Sequence, residues 1–365
     1  MTREDMQVPL REMTMRWRGK IHGITATTLP LIVMLRVAAG QAPPKADPVP
    51  LPGNLPFVRY TTQDAEKRTV TFYISKTIAE QKRLPIVLYC PGSGSHSVFT
   101  ANASGASSGF QGFLLQVVKG RAHVMVVEKP GVKFLDTPAQ LGSSLEGSEE
   151  FLRNYAPKSW AEVNIAALRT AWLLPQVDGS RTLVLGASEG GQIAARVAAH
   201  FPEVTHVAVL ACGGATQLFD ALTQASQPRP NDNPGDAGKR RQAVLDEWAK
   251  IQADPDSISK FWNGHPYRRW SSFLRENATT DLVRAKARVY LAHGSADEAV
   301  PVVSHDQLEA ELRAKGRPVT SERLEGLNHS FQPKDSPPGR PSNELAGLLK
   351  RILEWFLASD LPMRK

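Results

Sequence analysis

The stretch Leu183-Val184-Leu185-Gly186-Ala187-Ser188-Glu189-Gly190-Gly191 runs from an apolar, strand-like segment through a serine flanked by glycines, and an amphipathic helical pattern follows it. A serine hydroxyl is a weak nucleophile. A G-x-S-x-G turn from strand to helix lifts it clear of the backbone, where a base can reach it. Gly186 and Gly190 suit so tight a turn, because a β-carbon at either place would force strand and helix apart. The bland reading of Ser188 is a helix N-terminal serine that satisfies a backbone N–H. Its seat between a strand and a helix favours the nucleophile.

Further along, residues 287–291 (Ala-Arg-Val-Tyr-Leu) read as another buried strand and open into His293-Gly294-Ser295-Ala296-Asp297-Glu298-Ala299-Val300-Pro301. After one more helix and strand comes Leu324-Glu325-Gly326-Leu327-Asn328-His329-Ser330-Phe331. Here the chain resembles the α/β-hydrolase superfamily. H-G-x-x-D-x-x-V-P is similar to the acid-bearing loop of esterases and dienelactone-hydrolase-like members, and G-x-x-H-x-F is similar to the histidine loop. The order Ser, Asp, His is the one this fold requires. The resemblance implies Ser188 as nucleophile, Asp297 as acid and His329 as base. Taken singly, Asp297 also reads as a turn aspartate and His329 as one of nine histidines in the chain. Asp220 is the alternative acid, because some relatives carry theirs soon after the strand that follows the serine.

Acyl transfer places negative charge on a carbonyl oxygen, which two fixed N–H donors must meet. The resemblance assigns one to the backbone of Glu189. The other belongs to the loop after the third strand, and residues 85–90 followed by Pro91-Gly92-Ser93-Gly94-Ser95 have that form. The family's H-G-x-G reads Pro91-Gly92-Ser93-Gly94 here, and Ser93 is the expected donor. The bland reading is a Gly/Ser-rich turn.

Apolar runs at 70–74, 85–90, 122–127, 182–185, 204–211, 287–291 and 319–324 alternate with helical patterns, which argues a mostly parallel sheet covered on both faces. One helix is expected to start at the capping box Ser159-x-x-Glu162 and to bury Val163, Ala167, Thr170 or Ala171, and Leu174. A last helix presents Leu345, Leu348, Leu349, Ile352 and Phe356. Between 213 and about 282 the alternation stops, and the segment is expected to form a cap. Residues 227–241 read as a mobile surface loop. Trp248, Phe261, Trp262, Tyr267, Trp270 and Phe273 form either the cap's own core or, through Trp262 and Trp270, a wall of the substrate pocket. Residues 101–109 are expected to be a flexible rim. The domain organisation is thus 1–42 as a signal peptide, 43–56 as a Pro-rich linker and 57–365 as one α/β-hydrolase domain.

The formal net charge is +8, but Lys239-Arg240-Arg241 is the one tight basic run and no nucleic-acid motif accompanies it, so a nucleic-acid partner is not expected. Cys90 and Cys212 are the two cysteines, and no metal-ligand spacing occurs. By the family's strand order they end strands on either side of the one ending at Ser188. They are then about 9–10 Å apart, beyond disulfide reach, and are expected to be free thiols. Arg16, Arg18 and Lys20, a short apolar stretch over 29–35, and Ala38, Ala39, Gly40 and Ala42 match a secretory signal, with cytoplasmic residence as the alternative. Arg36 and Pro30 interrupt the pattern, and the stretch is too short to span a bilayer. The resemblance implies a cofactor-independent serine hydrolase acting on small-molecule esters or amides, with carboxylic ester cleavage first. A prolyl-oligopeptidase-like peptidase is the alternative, since G-x-S-x-G-G and D-x-x-V-P also resemble that catalytic domain. The short interval from Phe57 to Leu84 holds no large propeller domain and favours the esterase. A non-catalytic hydrolase-fold binding protein is a third reading. Oligomeric state leaves no mark in the sequence.

Overall fold

The structure, a computed structural model, describes residues 48–358 apart from 53–54, 77–82, 103–104, 141, 335 and 337–341. The expected signal peptide lies outside the described residues, as do residues 43–47 and 53–54 of the linker. In chain order the elements are β1 (Val49–Pro50), β2 (Phe57–Gln63), β3 (Thr69–Ser75), β4 (Leu84–Cys90), a hairpin of β5 (Phe99–Asn102) and β6 (Gly105–Ser108), α1 (Phe110–Val118) and β7 (His123–Val127). Then follow α2 (Glu149–Asn154), α3 (Pro157–Ala171), β8 (Val177–Ala187), α4 (Glu189–His200) and β9 (His206–Leu210). An excursion contains α5 (Gln217–Ser226), α6 (Asp236–Ala253), a small hairpin of β10 (Phe261–Trp262) and β11 (His265–Pro266), α7 (Tyr267–Phe273) and α8 (Ala278–Arg284). The chain closes with β12 (Arg288–Gly294), α9 (Val302–Ala314), β13 (Val319–Leu324) and α10 (Asn343–Leu357).

Nine strands form the main sheet in the order β1-β2-β3-β7-β4-β8-β9-β12-β13. The six from β7 to β13 are parallel, and β1, β2 and β3 pair antiparallel at one edge. The central strands carry continuous apolar runs, such as Ile86–Cys90 in β4, Leu183–Leu185 in β8 and Val207–Leu210 in β9, because both sheet faces are covered. Alternation shows which residue goes where. Ile86, Leu88 and Cys90 of β4 join Val184 of β8 in one core, against α3, α4, α8 and α9. Val87 and Tyr89 join Leu183 and Leu185 in the other, against α1 and α10. The expected α10 face is buried as read, including Leu345, Leu348, Leu349, Ile352 and Phe356. Both cysteines are free and buried, and β4 and β9 flank β8.

Four local expectations are corrected. α3 starts at Pro157 with Ala156 before it, so Ser159 already lies inside the helix and is not its cap. Proline at the first turn needs no N–H partner and supplies the start instead, while Glu162 reaches across to Arg68. The stretch expected as a flexible rim over 101–109 holds regular strand structure, because Phe99–Asn102 pairs with Gly105–Ser108. The basic run 239–241 lies in α6, and Arg240 ties the preceding loop down by bonding Asp232 and the carbonyls of Ala225 and Gln227. Finally, α8 packs on α4 and α9 and so belongs to the layer covering the sheet. The departure from the sheet therefore ends near Asn277. β2 was not expected at all, although Phe57, Tyr60 and Thr62 turn inward at near-alternate positions.

Candidate active site

β8 ends at Ala187, and the chain turns on Ser188 at φ 55° and ψ −130° before α4 begins at Glu189. Such a conformation is strained for a residue with a side chain. It is held because the Ser188 N–H donates to Leu210 O at 2.9 Å and Ser188 O accepts from the Gly191 N–H at 2.9 Å. A β-carbon on Gly186 would run into Gly190 O, and one on Gly190 into the carbonyls of Cys90 and Pro91. The two glycines therefore let α4 approach both its own strand and the loop after β4.

β12 and β13 lie beyond β9 in the sheet, in register so that Gly294 stands beside Leu324. Their following loops are laced together by Ala296 N–H to Leu327 O, 3.0 Å, and Ser295 N–H to Leu324 O, 2.9 Å. This brings His329 Nδ1 to 2.8 Å from Asp297 Oδ2. The other carboxylate oxygen, Oδ1, accepts the backbone N–H groups of Ala299 and Val300 at 2.8 and 2.9 Å. His293 lies 3.2 Å from Oδ2 through Nε2, which also meets Val300 O at 3.0 Å. Burial alone would raise the Asp297 carboxyl, but the hydrogen bonds to His293, His329 and the loop hold it well below the usual carboxylate range. Asp220 makes no bond to His329. It sits on α5 with its Oδ1 buried and unpartnered, and burial lifts its carboxyl to about 7. Among the described residues no hydrogen bond joins Ser188 Oγ to His329, a spacing common in substrate-free sites that tighten when substrate binds.

A cavity of about 260 Å³ opens beside Ser188 and is lined in part by Ser93, Glu189, Gln192, Asp220, Trp262, Arg269 and Trp270. The expected nucleophile, the two expected oxyanion donors and the two expected wall residues thus share one cavity. Trp262 and Trp270 answer to both readings. They pack with Ile251, Tyr267 and Leu274 in a small separate core and also line the cavity. Their rings lie 4.7 Å apart, and Trp270 Nε1 donates to Trp262 O at 2.6 Å. Phe261 and Phe273 instead pack into the main core.

The loop carrying Ser93 rests on charged groups that no motif announced. Lys129, just after β7, donates from Nζ to Gly92 O at 2.7 Å and Gly94 O at 2.5 Å. Tyr155 OH accepts the Gly94 N–H at 3.0 Å and donates to Glu189 Oε1 at 2.6 Å. Glu189 Oε2 accepts Arg269 Nε at 3.0 Å and also bonds Arg269 Nη2. Burial works against the Glu189 carboxylate, yet Arg269, His265 and Lys129 keep it below its ordinary range, and the start of α4 adds its dipole. Burial draws the Lys129 ammonium down to about 8. Both loop carbonyls are thereby turned to Lys129. Lys129, Tyr155 and Arg269 escaped the sequence reading because they stand 34 to 80 residues from their partners. A lone lysine or arginine carries no local pattern.

Among the described residues no cluster of three His, Cys, Asp or Glu side chains is arranged to hold a metal ion. None of the described helices is long and apolar enough to cross a membrane.

No protein-family model and no curated protein matches the chain. Solved structures do. Dipeptidyl peptidase 4 of Porphyromonas gingivalis superposes with a TM-score of 0.53 at 17% identity, over 83% of this chain and 36% of that one. The acetyl xylan esterase of Paenibacillus sp. R4 gives 0.53 at 16% identity, over 85% of this chain and 88% of that one. Est1E of Butyrivibrio proteoclasticus gives 0.51 at 12% identity, over 82% and 99%. The chain spans little more than a third of the peptidase and nearly the whole of the acetyl xylan esterase and of Est1E. At these identities the likeness speaks to architecture, and together with the sheet order and the turn at Ser188 it establishes that the chain has the α/β-hydrolase fold.

Proposed function

We propose that the protein is a serine hydrolase that cleaves carboxylic esters through an acyl-enzyme on Ser188. The observation that carries this is the 2.8 Å bond between His329 and Asp297, made beyond the same C-terminal ends of the parallel strands where the backbone is strained at Ser188. His329, its Nδ1 held by Asp297, takes the Ser188 proton through Nε2 while Oγ attacks the acyl carbon. The backbone N–H groups of Glu189 and Ser93 receive the oxyanion. His329 then returns the proton to the leaving alcohol, and water repeats the sequence to release the acid. Asp297 steadies the imidazolium throughout.

The acetyl xylan esterase is matched almost end to end, which supports ester cleavage. A peptidase is the second reading, favoured by the likeness to dipeptidyl peptidase 4. A fluorophosphonate probe is the test. It should label wild-type protein rapidly at Ser188, and Ser188→Ala and His329→Ala should each abolish labelling. An unlabelled Ser188 in folded protein would leave a hydrolase fold without the activity. Turnover of p-nitrophenyl acetate set against that of alanyl and prolyl anilides then separates esterase from peptidase.

A further inference from the structure

Just after β7 the chain places two buried ionisable side chains, Glu128 and Lys129, against the loop that follows β4. Such groups are costly out of water unless fixed partners meet them. Glu128 accepts Ser97 Oγ at 2.7 Å and the Val98 N–H at 3.2 Å. Lys129 gives two of its three N–H donors to the carbonyls of Gly92 and Gly94. Its ammonium lies 4.5 Å from the centre of the Trp160 ring, and Trp160 is itself locked in the main core. The point from which the loop is held is therefore fixed. Two more bonds complete the hold, Gly94 N–H to Tyr155 OH at 3.0 Å and Ser95 N–H to Ser143 O at 3.1 Å. Among the described residues no partner takes the Ser93 N–H.

We propose that Lys129 is a positioning residue for ester cleavage, which aims the Ser93 N–H at the oxyanion by holding the carbonyl of the same peptide unit. The inference rests on Ser188 being the nucleophile. A peptide bond is planar and trans, so its C=O and N–H point in opposite directions. The 92–93 unit carries Gly92 O on one side and the Ser93 N–H on the other. With Gly92 O drawn to 2.7 Å from Lys129 Nζ, the N–H is turned away from the lysine. This part of the loop runs close to the nucleophile, since a β-carbon on Gly92 would stand 3.7 Å from Ser188 Cβ, and Ser93 and Ser188 line the same cavity. The second bond, to Gly94 O, grips the loop on the far side of residue 93. Rolling of the peptide plane is the motion that would take the N–H off the oxyanion. Gly92 and Gly94 bring no side chain to limit that roll, so the restraint comes from outside the loop. The competing reading makes Lys129 a counter-ion for Glu189 alone. Glu189 already has Tyr155 on Oε1 and Arg269 on Oε2, and a counter-ion needs no bond to either loop carbonyl.

The experiment uses Lys129→Met, which keeps the length of the side chain and removes its donors. Acylation and deacylation both pass through an oxyanion, so with p-nitrophenyl acetate kcat should fall on the order of 10²-fold while KM stays within threefold. The inhibition constant of 1,1,1-trifluoro-2-butanone, whose hemiketal on Ser188 carries the same oxyanion, should rise by a matching factor. Folded Lys129→Met with both constants within threefold of wild type would overturn the proposal. So would a loss carried by KM alone, or a fall in kcat with inhibitor affinity unchanged. Should Lys129→Met fail to fold, Lys129→Gln takes its place, its amide on a shorter arm, with a parallel fall of more than threefold expected and a smaller one overturning the idea. Hydrogen exchange over residues 92–98, followed by mass spectrometry on the Ser188→Ala protein, reads the hold on the loop without catalysis. It should quicken on the order of tenfold when Lys129→Met or Lys129→Gln is added, and unchanged exchange would refute the hold. If fluorophosphonate leaves Ser188 unlabelled, that failure belongs to the nucleophile, and the exchange still judges Lys129.

Discussion

Replacing Arg269 by Met puts the most weight on the buried charges behind the elbow. Arg269 and Glu189 keep only 5% and 3% of their side-chain surface exposed, so water cannot take over when one partner goes. Breaking such a pair costs about 3–5 kcal/mol, because the remaining charge stays buried. Here the Tyr155 hydroxyl at 2.6 Å, the Lys129 ammonium and the start of α4 still favour the Glu189 carboxylate, which places the loss near the lower bound. The guanidinium also lies 3.8 Å from the centre of the Trp270 ring, a contact worth about 1–2 kcal/mol when desolvated, part of which a methionine thioether recovers. Arg269→Met should therefore destabilise by about 3–4 kcal/mol, out of the roughly 5–15 kcal/mol typical of a domain. Glu189→Gln leaves the arginine as the unpaired charge and should cost a similar amount. In the double variant both charges of the pair are gone and the buried Lys129 ammonium keeps Glu128 as its carboxylate neighbour, so the two losses should fall short of adding by about 2 kcal/mol or more. Urea unfolding at pH 7.5, with slopes compared, reads this directly. Single losses below about 1 kcal/mol, or strict additivity, would mean that water reaches the pair and that it does not hold the start of α4 in place.

Ser188→Ala and His329→Ala should each lower kcat for p-nitrophenyl acetate by on the order of 10³-fold or more, and the double variant should lose little further, since the two act as one unit; multiplicative losses would contradict the mechanism. Asp297→Asn should be nearly as damaging and Asp220→Asn much milder on this acetyl ester; a reversed order would make Asp220 the acid. Trp262→Ala and Trp270→Ala should each destabilise by about 3 kcal/mol and also admit longer acyl chains, because these rings are both local core and cavity wall; an unchanged chain-length ranking from butyrate to octanoate in folded protein would assign them to the core alone. The Asp220 carboxyl is raised by burial, opposed by Ser304 and His293 and reinforced by Asp297. Folding then favours its protonated form, so its contribution is intact below the unfolded value of about 3.9 and is lost as pH rises through about 7. Asp220→Asn should accordingly gain on wild type in unfolding free energy between pH 5 and 8, and parallel pH curves would refute that. EDTA should leave turnover unchanged, whereas a loss restored by added metal would replace the serine mechanism.

What the sequence made legible follows the range over which each device acts. The turn at Ser188 and the strands around it are written in contiguous residues, because strand, glycine, serine, glycine and helix must succeed one another for the backbone to fold so sharply. Asp297 and His329 were named through a resemblance to loop patterns 32 residues apart, and the structure brings them to 2.8 Å because β12 and β13 lie in parallel register. The start of α3 was misplaced because a serine three residues before a glutamate satisfies a capping pattern even when a proline just ahead already supplies the first turn. β2 escapes a sequence reading since Phe57–Gln63 alternates only in part, with Val58 and Arg59 both half-buried, and looks like linker until a partner, β3, is seen to pair with it.

The groups that set the electrostatics of the site belong to a different category. Glu189 follows Ser188, and a carboxylate there, buried out of water, requires a cation; nothing local says which. Arg269 arrives from an excursion 80 residues later, and Lys129 comes from the end of a strand two places across the sheet. Any of the chain's 44 lysines and arginines would satisfy the requirement on paper. Geometry selects among them: Lys129 is the one whose ammonium is buried between two loop carbonyls, and Arg269 the one whose guanidinium is stacked on Trp270. The excursion therefore does more than roof the cavity. By supplying the counter-charge to the residue that starts α4, it couples the order of the segment over the site to the position of the Glu189 N–H, so a variant that loosens α7 should lower kcat even where no atom of α7 touches the reacting carbonyl.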